Sequence, residues 1–435
     1  MGSSPYVIAL SLCSLFMVAI TGGLCYSGCI RIEREALLNL KLHLADPSNR
    51  LRNWVSDDGD CCRWSGVTCD NSTGHVLKLN LSTLYNQETH LGPVLLPLGG
   101  KISPSLLDLK HFRYLDLSNN FGGIEVPTFL GFLVNLRYLS LSNAGFGGMI
   151  PQQLGNLSNL QYLSLQGGYI VMHVDDLQWL SNLSSLTFLD MSSNDLSKSF
   201  DWLQVMNSLS LLEELHLPCC QLPNISSLNS NVNFSSLAIL DWSSNYFTDS
   251  LVPSWIFRLQ NLVSLDLSSN NFQGPIPSGL QNLSLLVRKL DLSYNNYSSS
   301  IPTWLCRLSN LELLNLGSNS FQGQISSLIG NITSLRNLDL SYNRFEGGIP
   351  RSLKHLCNLR LLSFRGINLS QEINDVLQIL SECISNGLES LFLDHCQLSG
   401  HLIDDLGKFR KLSFLVLWSN MISGPIPHSF GEMKS

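Results

Sequence analysis

From residue 76 onward the apolar positions recur in one pattern, L-x-x-L-x-L-x-x-N. The clearest copy is LVSLDLSSNNFQGPIPSGLQNLS, starting at Leu262. Others start at Phe112, Leu136, Leu160, Leu186, Leu212, Leu237, Val287, Leu311, Leu335, Leu359, Leu388 and Leu412. A divergent first copy starts at Val76, which makes fourteen, most of them 24 to 26 residues apart. In x-L-x-L-x the leucines alternate with polar positions, so each copy predicts a short strand with its leucines on one face. Each buried leucine contributes roughly 1.5–3 kcal/mol, but one copy cannot enclose that face alone. Neighbouring copies can, so the pattern predicts a stack.

The rest of each copy fits that stack. The closing Asn is Asn120, Asn194, Asn245, Asn270, Asn295, Asn319, Asn343 and Asn420. Its amide can pair with backbone groups where the strand turns, which predicts a ladder of amides. Cys220 and Cys396 take that place in two copies. Ala144, Gly168 and Ile367 break it, and looser turns are expected there. Next comes x-F-x-G-x-I-P, as in NFQGPIP and RFEGGIP. Its Gly permits an unusual turn, and its Pro fixes the chain before a short helical stretch. Units of this length and pattern are leucine-rich repeats. The expected fold is an α/β repeat solenoid, a right-handed superhelix with a concave parallel β-sheet about 65 Å long. About twelve extra residues within 82–111 predict a loop between the first two repeats. Residues 368–387 predict a longer helix that bulges from the solenoid.

A stack needs ends. Residues 28–75 supply the first, and residues 76–435 are the repeats. REALLNLKLHL predicts an amphipathic helix with Leu37, Leu38, Leu40 and Leu44 inward. Trp54 and Trp64 are candidate core residues of this cap. Cys29, Cys61, Cys62 and Cys69 cluster there, and the expected pairs are Cys62–Cys69 and Cys29–Cys61, although spacing alone leaves other connectivities open. At the far end the chain stops at SFGEMKS, midway through a repeat, which predicts an uncapped solenoid from a truncated product or a fragment. The first 27 residues hold an apolar run, Val7 to Ile20, followed by small residues, and read as a signal peptide. No other apolar run reaches spanning length. Ten N-x-[ST] sequons agree with export: Asn71, Asn80, Asn156, Asn182, Asn224, Asn233, Asn282, Asn296, Asn331 and Asn368. Of the 435 residues 44% are hydrophobic and 14% charged, which is ordered protein; the net charge of −7 argues against a nucleic-acid partner.

CIRIEREALLNLK, CCRWSGVTC, GGKISPSLLDLKHFRYLDLSNN and the repeated GxIP resemble the plant leucine-rich-repeat receptor-like proteins, in the branch related to receptors for fungal xylanase elicitors. The resemblance implies a cell-surface immune receptor without a kinase domain, membrane-anchored, that signals by pairing with a receptor kinase. Members carry more repeats, an island segment, a C-terminal cap and a membrane helix, and this chain has none of these segments, which puts signalling in doubt. A soluble inhibitor resembling the plant polygalacturonase inhibitors, or a nonfunctional remnant, is the alternative.

Candidate chemistry is sparse. His216, Cys219 and Cys220 (HLPCC), and Asp394, His395 and Cys396 with His401, have metal-like composition, but the repeat register explains each place. No cofactor or metal is expected. Asp116, Asp190, Asp241, Asp266, Asp291 and Asp339 recur between two leucines, and repeat consensus accounts for them better than a hydrolase pair does. Cys357 and Cys383 lie on consecutive helical sides and are a candidate disulfide. One further pattern stands out. The outward position before L-x-L holds Tyr114, Tyr138, Tyr162 and Phe188 in four successive repeats, with Arg113 and Arg137 at the start of the first two strands. Rings about 5 Å apart would form an aromatic lane on the concave face, a candidate strip for a protein or peptide ligand. The same residues could equally be strand formers that pack on one another.

Overall fold

A computed structural model describes residues 28–56, 60–83, 96–224, 232–247, 251–402 and 404–429. The proposed signal segment, part of the 82–111 insertion and the last residues lie outside these. Fifteen strands form one sheet. Its edge strand, Val67–Cys69, runs antiparallel to Val76–Asn80, and every later pairing in the sheet is parallel. Most strands are three residues long, the x-L-x of one repeat. They pair without slippage: Leu115, Leu139 and Leu163 lie side by side, each fully buried, and the series continues through Leu391. That leucine column is the spine of the core.

The amide ladder closes each strand. Asn270 donates through Nδ2 to the carbonyls of Trp242, Leu267 and Ser268, all at 3.1 Å, and accepts from Asn245 N–H through Oδ1. At the two cysteine places a thiol takes over as donor. Cys220 Sγ reaches the Met191 carbonyl at 3.2 Å and Cys396 Sγ the Phe364 carbonyl at 3.1 Å. The lost acceptor is replaced by backbone, since Leu196 N–H turns onto the Cys220 carbonyl and Leu369 N–H onto that of Cys396. The expected looser turns at Ala144 and Ile367 are not found. Both side chains are buried, and each N–H bonds back three residues to Leu141 and Phe364. An apolar group there fills the space the amide would have occupied. Gly168, with no side chain to fill it, behaves differently.

The convex side is built of short 3-10 turns such as Thr128–Phe132 and Gln152–Asn156. Five residues are enough for this tighter helix and too few for an α-helix that must return to the next strand. Pro127 and Pro151 stand just before them with φ of −66° and −72°. The expected helix within 368–387 is Ile373–Leu380. Ile373, Val376, Leu377 and Leu380 are buried in the common core, and the Cys357–Cys383 disulfide ties its far side to the preceding repeat.

The cap follows the same logic at the stack's first edge. Its helix is Arg31–His43, with Ala36, Leu37 and Leu40 buried. Leu38 and Leu44 are only half-buried but pack against that core, Leu44 from a short strand that pairs Gly100. Trp54 and Trp64 stack at 5.5 Å in the cap core. The disulfides are Cys29–Cys61 and Cys62–Cys69. Buried Glu33 accepts the Val76 N–H at 2.6 Å and faces His75 Nδ1 at 2.9 Å, which joins the cap to the first repeat. An antiparallel strand and a helix thus cover an edge that would otherwise invite pairing with other chains.

Candidate functional site: an aromatic stack on the concave sheet

Parallel in-register strands place equivalent side chains of successive repeats directly beside one another. Lys78, Tyr114, Tyr138, Tyr162, Phe188 and Glu214 therefore form one column. The rings are closer than the 5 Å expected from strand spacing. Their centroids lie 4.0, 4.1 and 4.1 Å apart, with planes within 10° of parallel. Tilting of the rings brings them from strand spacing to van der Waals contact. Both ends are closed. Lys78 Nζ sits 4.0 Å from the Tyr114 centroid, and the His216 ring lies 5.4 Å from Phe188.

This geometry decides what the stack can offer. The ring faces are occupied by one another, so a partner meets ring edges and hydroxyls. Aromatic edges carry partial positive charge and suit carbonyl oxygens and apolar side chains. The Tyr114 and Tyr162 phenols are pushed up, first by burial and then by the neighbouring Tyr138. Arg113 and Arg137 flank it, exposed and without an ion pair among the described residues. Asp116, Ser140, Ser164 and Asp190 flank the other side.

The aspartate column has its own work. Asp241, Asp266 and Asp291 each accept the N–H and hydroxyl of the serine two residues on, which closes their strands. Burial pushes the Asp266 carboxyl up to about 6, against the pull of Ser268, with Asp291 and Asp241 adding repulsion. The folded state therefore favours the protonated form. Its contribution is complete below an ordinary carboxylate pKa of roughly 3.9 and is lost as pH rises through 6. Asp266→Ser, the residue other repeats carry in this column at Ser140 and Ser164, removes that loss. Relative to the parent, the variant is expected to gain about 1–2 kcal/mol between pH 4 and pH 7 in urea unfolding. A constant difference across that range would contradict the assignment.

The thiols and histidines considered as metal ligands do not converge. Cys220 and Cys396 point inward, Cys219 is exposed, and His216 faces Glu214. Asp394, fully buried, holds Arg365 Nε at 2.9 Å and His395 Nδ1 at 3.3 Å. Among the described residues only Cys29, Cys61 and Cys62 cluster like ligands, and disulfides consume all three. Nine of the ten sequon asparagines are exposed, and Asn80 is half-buried on the concave sheet beside Asp116. Asn156, Asn182, Asn282 and Asn331 stand on convex 3-10 turns, away from the aromatic stack.

The repeats and their cap define a class, the leucine-rich-repeat solenoid with an N-terminal cap domain. The profile described as "Leucine rich repeat N-terminal domain" matches residues 33–70, and "Leucine Rich Repeat" matches 135–157, 261–283, 286–308, 334–356 and 387–409. The chain is similar to plant leucine-rich-repeat receptor-like proteins. It is 34% identical over 276 residues to tomato (Solanum lycopersicum) receptor-like protein EIX1, covering 61% of this chain and 26% of that one. To EIX2 of the same plant it is 44% identical over 111 residues, 25% of this chain and 10% of that one. The chain thus matches about a quarter or less of the length of these relatives. Among solved structures, the Arabidopsis receptor kinase HAESA, in complex with the peptide hormone IDA and the co-receptor SERK1, superposes with a TM-score of 0.73 at 26% identity, over 93% of this chain and 68% of that one. The plant peptide hormone receptor RGFR1 with RGF2 gives 0.61 at 26% identity, over 86% and 62%. Among the described residues no helix is long and apolar enough to cross a membrane.

Proposed function

We propose that the chain is a non-catalytic extracellular recognition module that binds a protein or peptide, of microbial or endogenous origin, along its concave sheet in plant defence or development. The aromatic stack carries this reading. Four rings locked in contact present a preordered strip, so a partner loses little freedom in the receptor when it docks. Free arginines beside it offer bidentate bonds to a partner's carboxylates. The similar ectodomains of HAESA and RGFR1 are solved with peptide hormones, and the HAESA complex includes a co-receptor. By the same likeness we assign a receptor kinase as the signalling partner, at the plasma-membrane surface or in the apoplast.

The test is capture of apoplastic and microbial proteins by the secreted chain, followed by titration of the captured partner. Combined Tyr138→Ala and Tyr162→Ala should weaken that partner about tenfold or more. Binding within experimental error of the parent would remove the strip as the anchor.

A further inference from the structure

Among the described residues, the loop after the fourth repeat strand breaks the amide ladder in a way the other repeats do not. It reads QGGYIV, residues 166–171. In the ladder an Asn oxygen accepts N–H groups from the loop before it, as Asn245 Oδ1 does from Cys220 and Leu222. Asn194 is the corresponding residue for this loop. It is buried, and its Oδ1 has no partner among the described residues. The loop has moved off the ladder. Ile170 instead lies over Gly147, where a Cβ would come within 2.5 Å of it. Next to it Tyr169 stands fully exposed, at 109% of its reference area.

The displacement opens a groove of about 840 Å³ on the flank of the solenoid, beyond the ends of the concave strands. Gly122, Gly145, Gly167 and Gly168 are among its lining residues. Among the described residues no Asp, Glu, Lys, Arg or His lines it. Its polar side chains are the amides of Asn119, Asn120, Asn143 and Gln166 and the hydroxyls of Thr83, Tyr169 and Ser193. Asn143 Nδ2 and Ser142 Oγ both donate to Gln166 Oε1, and Asn119 Nδ2 to the Thr83 carbonyl. That leaves Gln166 Nε2 as a donor and the Asn119 and Asn143 side-chain oxygens as acceptors for a ligand. The one sequon between residues 97 and 171, Asn156, lies on a convex turn, so no glycan of the chain's own is anchored on this flank there.

We propose that this groove binds a neutral oligosaccharide. A sugar ring has hydroxyls that both donate and accept, which matches free amides and needs no charge. Its C–H face is weakly positive and suits the negative face of an aromatic ring. Tyr169 has both faces free, whereas the concave stack has none. Four glycines in the lining let a flat ring approach the backbone closely. An unpaired buried acceptor costs about 1–3 kcal/mol, so the displaced loop comes at the expense of stability.

The experiment titrates the full chain, expressed through a secretory pathway, with cellohexaose, xylohexaose and chitohexaose by calorimetry. Tetragalacturonate and a decaproline peptide are run in parallel. At least one neutral hexasaccharide should saturate the protein. Tyr169→Ala should weaken it about tenfold or more, Tyr169→Phe should restore it, and Tyr138→Ala should leave it unchanged. Because Tyr169 contacts solvent alone, its truncation leaves folding intact. Failure of all three hexasaccharides to saturate at millimolar concentration overturns the proposal. So does equal binding by the Tyr169→Ala variant, or Tyr169-dependent binding of decaproline or tetragalacturonate in place of the neutral sugars. None of these outcomes bears on the concave strip, which Tyr138→Ala probes separately.

Discussion

Asn245→Ala is expected to destabilise the chain by about 3–5 kcal/mol. The buried Asn245 side chain makes five hydrogen bonds. Nδ2 donates to the carbonyls of Leu217, Trp242 and Ser243 at 2.8, 2.9 and 3.2 Å, and Oδ1 accepts Cys220 and Leu222 N–H. Alanine deletes all five and leaves backbone groups of two adjacent repeats unpaired in the core. Each such group costs about 1–3 kcal/mol, and relaxation recovers part of the sum. Asn245→Cys should lose roughly half as much, near 2 kcal/mol, because a thiol replaces the donor. It should not be neutral. At the natural Cys220 and Cys396 the preceding repeat has turned an N–H onto the cysteine carbonyl, and the loop before Asn245 has not. Denaturant unfolding of the two variants gives the ranking, and hydrogen exchange should place the early loss of protection within residues 212–247. Equal stability of parent and alanine variant would show that the ladder does not bear on folding.

What the sequence disclosed follows from parity and period. Strand alternation alone places Leu139 inside and Tyr138 outside, and the repeat length alone sets Tyr114, Tyr138, Tyr162 and Phe188 in one column. The closing Asn was legible because a buried turn needs a donor whatever its neighbours are. Ring spacing was not, since it depends on side-chain tilt rather than strand separation. The flank groove had a faint signal, Gly168 in the amide place. Ala144 and Ile367 carried the same signal and gave ordinary turns. The difference lies in volume: alanine and isoleucine fill the vacated space, whereas Gly168 cannot, and the loop around Tyr169 leaves its register.

Removing the Cys29–Cys61 disulfide, as Cys29→Ser with Cys61→Ala, should cost about 3–4 kcal/mol. The two residues are 32 apart, so the bridge restricts a long segment of the unfolded chain that includes the cap helix. Cys62 and Cys69 are 7 apart, and loss of that bridge should cost about 2 kcal/mol. Chain length does not tell the whole story, because Cys357 and Cys383 are 26 apart and sit mid-stack, with repeats on both sides to hold them. The cap has a neighbour on one side only. If it detaches, Glu33 leaves the Val76 N–H, the Val67–Cys69 strand releases its partner, and the sheet edge at Val76–Asn80 lies open. An open edge of a long parallel sheet pairs with other chains, so loss of the cap bridge should also lower secreted yield more than loss of Cys357–Cys383. Hydrogen exchange should show protection falling first in Val76–Asn80 and Tyr114–Asp116 and persisting beyond Phe188. An unchanged unfolding midpoint, or protection lost evenly along the stack, would show that the cap does not guard that edge.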